Sequence, residues 1–148
     1  LENWYEENVA KDMIPLRNKM MKILSEESKL QEIVKLVGED VLPDDQRLIL
    51  ETANIIKVAF LQQNAYHSQD TYVPLNKQYR MLKVIEKFYE LANISVKKGI
   101  PIAKIKDRSL LEEILKMKYN VPNSDLTKLD ELEVKIENYF EKLDAKYE

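Results

Sequence analysis

The sequence contains no cysteine, a single histidine (His67) and only two glycines, Gly38 and Gly99. Without cysteine there is no disulfide, no thiolate nucleophile and no zinc–cysteine site. One histidine cannot supply the paired Glu-x-x-His ligands of di-iron helical bundles. A phosphate-binding loop needs two glycines that bracket a short loop, whereas these two lie far apart. The residues therefore indicate no catalytic group, no metal site and no loop that would hold a triphosphate.

The chain also lacks a large excess of either charge and any long apolar run. Its 23 basic and 26 acidic residues are interspersed and leave a net charge of −3, so we expect no nucleic acid partner. No window approaches the roughly 18 consecutive apolar residues of a membrane helix, so we expect no direct membrane insertion. A hydrophobic content of 45% is typical of a folded globular protein.

Helical periodicity extends along most of the sequence. Apolar residues recur at steps of three and four, and the glycines needed for the frequent turns of a strand-rich fold are missing. We predict an all-α bundle of six to seven helices with short connections and no sheet. The predicted helices cover about Pro15 to Gly38 (with an interruption at residues 25–28), Pro43 to Asn64, Pro74 to Gly99, 101–105, 110–117, and a last helix capped by Asn123 or Ser124.

The domain organisation is expected to be simple. We expect residues 1–148 to form one helical domain. Residues 1–12 include Trp4 and Tyr5 but show no clear periodic pattern. We interpret them as a leading segment from the boundary with a preceding domain, so that this chain would be the C-terminal part of a longer subunit.

The most unusual segment follows the second predicted helix. It combines the polar pair Gln62 and Gln63 with two tyrosines, Tyr66 and Tyr72, in an expected loop outside the apolar stripe. Such rings could stack on a planar base. They could equally cover the rim of the core with their hydroxyls in water, and the two glutamines could simply cap the helix.

A second candidate is an acidic turn between the first two predicted helices. We expect its apolar middle to form an exposed tip ringed by carboxylates. Judged by the residues alone, a solvated turn whose aspartates complement a helix dipole is the preferred explanation. The turn comprises Glu39, Asp40, Val41, Leu42, Pro43, Asp44 and Asp45.

Three separated segments resemble one family, the catalytic A (alpha) subunits of A-type and V-type rotary ATPases. Residues 60–66 (Phe-Leu-Gln-Gln-Asn-Ala-Tyr) are similar to the family's Phe-Leu-Gln-Gln-Asn/Asp-Ala-Phe segment. Residues 29–38 contain its Leu-Gln-Glu-Ile-Val stretch, and residues 70–74 resemble its Asp-x-Tyr-Cys-Pro element with valine in place of cysteine. The similarity extends from about Trp4 to the C-terminus. The chain thus resembles the C-terminal helical domain of these catalytic subunits, of the archaeal type.

The resemblance implies a nucleotide-linked role. In the family, the phosphates bind a Walker loop of a central α/β domain, so this chain alone is expected to have no catalytic residue, no cofactor and no enzymatic activity. ATP or ADP with magnesium would bind only in the full subunit of a proton- or sodium-translocating enzyme. Tyr66 and Tyr72 take the positions of the aromatics on the adenine side, with Gln62 and Gln63 behind them.

The resemblance also implies partners. The acidic turn, residues 39–45, takes the place of the acidic helix–turn–helix of the related F-type β subunit, which bears on the central stalk. Here Val-Leu-Pro replaces part of the acidic run. The implied partners are the subunit's own nucleotide-binding α/β domain, the neighbouring B subunits of the hetero-hexameric head and the central stalk. The implied location is the cytoplasmic, soluble head of a membrane-associated complex.

Two other functions remain open at the level of sequence. A stand-alone helical interaction module would bind a partner helix in an apolar groove beside the last helix. It would not use the predicted loop that carries Tyr66 and Tyr72, which we call the tyrosine loop. An enzyme active by itself would need a nucleophile–base pair, which the residues do not offer.

Overall fold

The computed structural model describes residues 2–61 and 72–148, with side chains from Glu7 onward. These ranges contain seven α-helices and no strand, which confirms the all-α prediction. A 3₁₀ turn (Glu39–Val41) follows the first helix, and a π-helical segment (Ile56–Leu61) follows the second. The α-helices are α1 (Glu2–Val37), α2 (Asp44–Ile55), α3 (Leu75–Lys97), α4 (Ile102–Ile105), α5 (Arg108–Leu115), α6 (Met117–Asn120) and α7 (Thr127–Lys146).

Helix α1 is longer than predicted, since it begins at Glu2 and continues without a break through residues 25–28. The expectation that residues 1–12 lack a helical pattern is therefore wrong. Val9 and Met13 extend the buried stripe of Leu16 towards the N-terminus at helical spacing. Pro15 lies inside the helix on its exposed face. There the backbone carbonyl that loses its N–H partner can bond to water. An origin of these residues at a domain boundary stays a prediction.

The core is built around α3, which packs against α1, α2 and α7. Its predicted apolar stripe is confirmed over most of its length, and the Phe88 ring is fully buried. Phe88 meets Phe140 of α7 edge to face, with ring centroids 5.8 Å apart. Such an aromatic contact adds about 1 kcal/mol to the burial of the two rings. Helix α3 is thus the central, rigid element of the bundle.

The connection into α7 differs from the prediction. Neither Asn123 nor Ser124 caps α7, which begins at Thr127. The Asp125 carboxylate instead accepts hydrogen bonds from the Thr127 backbone N–H (3.2 Å) and hydroxyl (2.5 Å). The Asn123 side chain is engaged in a contact with Lys77 (2.9 Å). Within residues 2–61 and 72–148, no helix has the length and apolar character needed to span a bilayer.

Candidate functional site

The tyrosine loop is described only at its C-terminal end. Gln62, Gln63 and Tyr66 lie outside the described residues, so their predicted roles stay predictions. Tyr72 lies just before α3, and 69% of its surface is exposed. Its ring is therefore not sealed inside the bundle and presents a face that a planar ligand could reach. Contact with adenine stays a prediction for Tyr72 as well.

The helix leading into the loop is itself irregular. After α2 the backbone widens into the π-helical segment Ile56–Leu61, in which Ile56 and Ala59 are buried. Single π-helical turns are rare and frequently occur at functional sites. The sequence carried no signal for this change of helix type. The π-helical segment ends directly before residue 62 and already contains Phe60 and Leu61, the first two residues of the motif at residues 60–66.

Hydrogen bonds fix the backbone of the segment that carries Tyr72. We call residues 72–74 the loop stem. The Tyr72 carbonyl accepts a hydrogen bond from the Asn123 side-chain amide (3.2 Å), and the Val73 carbonyl accepts one from the Gln78 side chain (2.8 Å). The Pro74 carbonyl accepts the Gln78 backbone N–H (3.0 Å) in the first turn of α3. All three stem carbonyls are therefore bonded.

A buried lysine stands behind the stem. Only 1% of Lys77 is exposed. Its ammonium group donates to the carbonyls of Lys118 (2.8 Å) and Val121 (2.6 Å) and to the Asn123 side-chain oxygen (2.9 Å). Burial lowers the pKa of Lys77, and the nearby charge of Lys118 lowers it further. Three acceptors match the three protons of an ammonium group, so the buried group is fully bonded.

Neither Lys77 nor the role of Asn123 was predicted from the sequence. One signal could have found the lysine: it precedes Met81 by four residues and Val84 by seven, so it continues the buried face of α3. A lysine in such a register needs acceptors. Its acceptors belong to residues more than 40 positions away along the chain, and nothing in the local sequence points to them.

The acidic turn is built differently from the prediction. Val41 is 63% exposed, as expected, but Leu42 is only 6% exposed. Leu42 packs with Leu30 of α1 and Leu50 of α2 in a small separate core, which we call the leucine cluster. The expectation of an exposed tip at Val41, Leu42 and Pro43 is therefore wrong for Leu42.

A chain reversal at Gly38 accounts for the burial of Leu42. Gly38 has a φ of 87°, a conformation that other residues adopt at a cost. Its N–H bonds to the Val34 carbonyl (2.8 Å), which ends α1. The 3₁₀ turn follows at once and returns Leu42 to the crevice between α1 and α2.

The carboxylates of the turn divide into two groups. Glu39, Asp40 and Asp45 are exposed. Asp44 instead accepts a hydrogen bond from the Ile102 backbone N–H (3.0 Å) and so ties the start of α2 to the start of α4. The predicted ring of carboxylates around the tip therefore keeps three members that face water, while the fourth has a structural contact.

An apolar surface adjoins the turn. Ile33, Leu36 and Val37 share one face of the last turns of α1, and Val41 follows in the 3₁₀ turn; all four are exposed. We call these four residues the distal patch. A group of large exposed apolar side chains next to carboxylates is typical of an interaction surface.

The two candidate regions lie at opposite ends of α3. The loop stem immediately precedes Leu75, whereas Val96 and Lys97 line a surface cavity of about 500 Å³ together with Asp44 and Asp45. A helix of 23 residues is about 34 Å long at a rise of about 1.5 Å per residue. In residues 2–61 and 72–148 no group of three or more acidic or histidine side chains could hold a metal ion.

Comparison with known proteins identifies the family. The family model described as the C-terminal domain of V and A type ATP synthase matches residues 2–106, which is more than half of the chain. The V-type ATP synthase alpha chain 2 of Clostridium tetani is 62% identical over 147 residues, which cover 99% of this chain and 25% of that protein.

Two further relatives support the match. The V-type ATP synthase alpha chain of Halothermothrix orenii is 51% identical, over 100% of this chain and 25% of its own length. The corresponding chain of the A-type ATP synthase of Methanopyrus kandleri is 46% identical, over 97% of this chain and 24% of its own. The archaeal type expected from sequence is not supported, because the most identical of these three relatives is bacterial. The chain spans about a quarter of the length of these relatives, and it belongs to the family of C-terminal domains of V and A type ATP synthases.

Proposed function

We propose that this chain completes the adenine side of an ATP site in the catalytic subunit of a rotary ATPase and couples the nucleotide state to the central stalk. Tyr66 and Tyr72 provide aromatic faces for the base, and residues 39–45 with the distal patch contact the stalk. The observation that carries the proposal is the placement of the loop stem and the acidic turn at the two ends of one buried helix, α3.

At the nucleotide end, the chain's own residues supply an aromatic surface. Tyr72 combines an exposed ring with a backbone held by Asn123, so little ordering is needed when a base stacks on it. Stacking on an aromatic ring contributes about 1–3 kcal/mol per base. Gln62 and Gln63 would support Tyr66 from the preceding segment. The phosphates and magnesium would be held by the α/β domain of the full subunit, which supplies the chemistry.

At the stalk end, contact needs to form and release repeatedly. The distal patch offers apolar contact area, and the exposed carboxylates of Glu39, Asp40 and Asp45 surround it. Charged rims steer association and speed it more than they tighten it. Leu42, held in the leucine cluster, fixes the turn on α1 and α2, so that a force on Val41 acts on the helices and not on a loose loop.

Transmission between the two ends depends on a stiff connection. The α3 side chains at Met81, Ile85 and Phe88 are fully buried among three other helices. Close-packed interiors compress little and pass displacement on. A displacement of the loop stem would therefore be transmitted to the acidic turn, because the bundle would move as one unit. The partners would be the subunit's own α/β domain, the B subunits beside it and the central stalk, in the cytoplasmic head of a membrane-associated complex.

The test uses two variants of the full-length protein in the assembled enzyme. Tyr66→Ala should raise the KM for ATP about 5- to 150-fold with kcat little changed, since a stacking contact is lost. Val41→Asp should leave KM unchanged and lower the number of ions moved per ATP hydrolysed. Matched controls on α7 and at its end are Val134→Asp and Tyr147→Ala, whose side chains are also exposed.

Each variant can contradict its half of the proposal. An unchanged KM in Tyr66→Ala would remove the tyrosine loop from the nucleotide site. Coupling in Val41→Asp equal to that in Val134→Asp would make the acidic turn an ordinary connection between helices. The stand-alone module would need an apolar groove beside α7; the cavity that α7 lines with α5 and α6 holds about 160 Å³, and Glu113, Lys128, Glu131 and Lys135 are among its lining residues.

A further inference from the structure

We propose that Lys77 and Asn123 are positioning residues that lock the loop stem to the segment between α6 and α7. We call Lys77, Asn123 and the three carbonyls that they bind the stem clamp. The clamp makes the C-terminal part of the bundle responsible for the position of Tyr72. Its consequence for ATP rests on the proposed function, whereas the clamp itself does not.

The burial of Lys77 is costly in itself. Taking an ammonium group out of water costs several kcal/mol unless its hydrogen bonds are replaced. An apolar side chain at this position of the stripe would pack without that cost. Lys77 instead reaches three oxygens at 2.6–2.9 Å. Compared with an apolar residue, the lysine adds geometric specificity. Its three hydrogen bonds form only when α3 and the segment before α7 are in one relative arrangement.

The orientation of the Asn123 side chain follows from that lysine. Lys77 can only donate, so Asn123 turns its side-chain oxygen towards Lys77 and its amide nitrogen away. The nitrogen then donates to the Tyr72 carbonyl (3.2 Å). One side chain thus links the buried ammonium group to the loop stem. Lys77 thus sets the orientation of the Asn123 side chain, and Asn123 holds the Tyr72 backbone.

The stem is held from two sides while the Tyr72 ring stays free. Gln78 of α3 binds the Val73 carbonyl, and Asn123, from the segment before α7, binds the Tyr72 carbonyl. The Tyr72 side chain remains largely exposed. Fixing the backbone and leaving the ring accessible is the arrangement that lowers the ordering cost of a stacked ligand.

The test compares three variants in the full-length, assembled enzyme. Lys77→Met keeps the unbranched apolar stem and removes the ammonium group. Asn123→Asp keeps an acceptor for Lys77 but cannot donate to the Tyr72 carbonyl, and its exposed position makes it the variant least prone to misfold. The control is Lys87→Met on the same helix, which breaks the pair with Glu137 of α7 (2.5 Å) away from the stem.

Two measurements are made on each variant. Amide hydrogen exchange in peptides covering residues 72–80 and 117–126 should rise about fivefold or more in Lys77→Met and Asn123→Asp, and stay unchanged in Lys87→Met. The KM for ATP should rise about three- to tenfold in the same two variants, with kcat within about twofold. A merely structural lysine would raise exchange throughout α3 and α7 and would not separate KM from kcat.

The outcomes are distinguishable. Unchanged exchange in Asn123→Asp would overturn the clamp, even if Lys77→Met does not fold. Raised exchange with an unchanged KM would overturn the positioning role alone, provided that Tyr66→Ala raises KM. If Tyr66→Ala also leaves KM unchanged, the proposed function fails together with the positioning role, and the hydrogen-bonded clamp remains as a structural contact only.

Discussion

The loop stem and the acidic turn, at opposite ends of α3, are held by different kinds of interaction. At the loop stem, the backbone is held by hydrogen bonds from Gln78 and Asn123, and the Tyr72 side chain is exposed. At the acidic turn, the anchor is a side chain, Leu42, buried in the leucine cluster, while most of the turn's carboxylates face water. Hydrogen bonds hold a definite direction, whereas apolar burial is non-directional and nearly proportional to area.

This difference suits the two proposed tasks. Stacking on a base requires a ring in a definite place, and directional bonds to the backbone provide it. Contact with the rotating central stalk requires a turn that is firmly attached to the bundle and whose outer surface can make and break contact. The leucine cluster supplies the attachment, and the distal patch with its acidic rim supplies the surface. Two variants test the anchor at the turn, and a third tests the ion pair midway along α3.

The largest effect is expected at the apolar anchor. Leu42→Ala should lower the free energy of unfolding by about 2–3 kcal/mol, because it removes one of the three buried leucines and leaves a cavity. Val41→Ala, its exposed neighbour, should change it by less than about 0.5 kcal/mol. Urea unfolding of both variants gives the comparison. Equal losses would mean that the turn is not anchored through Leu42.

An intermediate effect is expected from a polar contact at the turn, the hydrogen bond that Asp44 accepts. Asp44→Ala removes the acceptor of the Ile102 N–H and should cost about 1 kcal/mol, as for other capping carboxylates. The neighbouring Asp45 is exposed, so Asp45→Ala should cost less than about 0.5 kcal/mol. Thermal unfolding of the pair measures the difference. If Asp44→Ala lowered the free energy of unfolding as much as Leu42→Ala, the conclusion that apolar burial mainly holds the turn would be wrong.

The smallest effect is expected midway along α3, where Glu86 binds Lys19 of α1 (2.7 Å). Burial alone would raise the pKa of Glu86, but hydrogen bonds from Lys19 and Lys83 and their charges hold it below its ordinary value. A lowered folded-state pKa contributes stability above the unfolded-state pKa of about 4.3, and this contribution is lost as the pH falls through the folded-state value.

Glu86→Gln should therefore be less stable than the parent by about 0.5–1 kcal/mol at pH 7, and the difference should narrow as the pH falls below the unfolded-state pKa of about 4.3. Unfolding between pH 7 and pH 3 measures it. Glu90→Gln is the matched control, since Glu90 is more exposed and lies 3.6 Å from the same lysine. A difference that stays constant over this range would show that the ion pair does not link α1 to α3 in the way described.

Much of the fold could be predicted because helical periodicity is a local property. The apolar stripe from Met81 to Ala92 predicts α3, and Gly99 predicts its end, from local sequence alone. The limits of α1 are harder to predict from the sequence. Pro15 is typical of the first turn of a helix, but an exposed proline is also tolerated inside a helix when packing holds the neighbouring turns.

The candidate site was less predictable, because it depends on which residues meet across the chain. The motif at residues 60–74 indicated a functional loop and the family. The local pattern at the turn gave no reason for Leu42, and not Val41, to face inwards. That choice follows from the reversal at Gly38 and from the space between Leu30 and Leu50.

The sequence alone therefore determined the helical class and the position of α3, since spacing and composition act over a few turns of chain, and its motifs carried the family resemblance. Only the tertiary structure decided that Leu42 is an anchor and that Lys77 is bonded behind Tyr72. Burial and hydrogen bonding are set by partners distant in sequence: the acceptors of Lys77 lie 41–46 residues further along the chain. Such partners meet only when the whole bundle has packed.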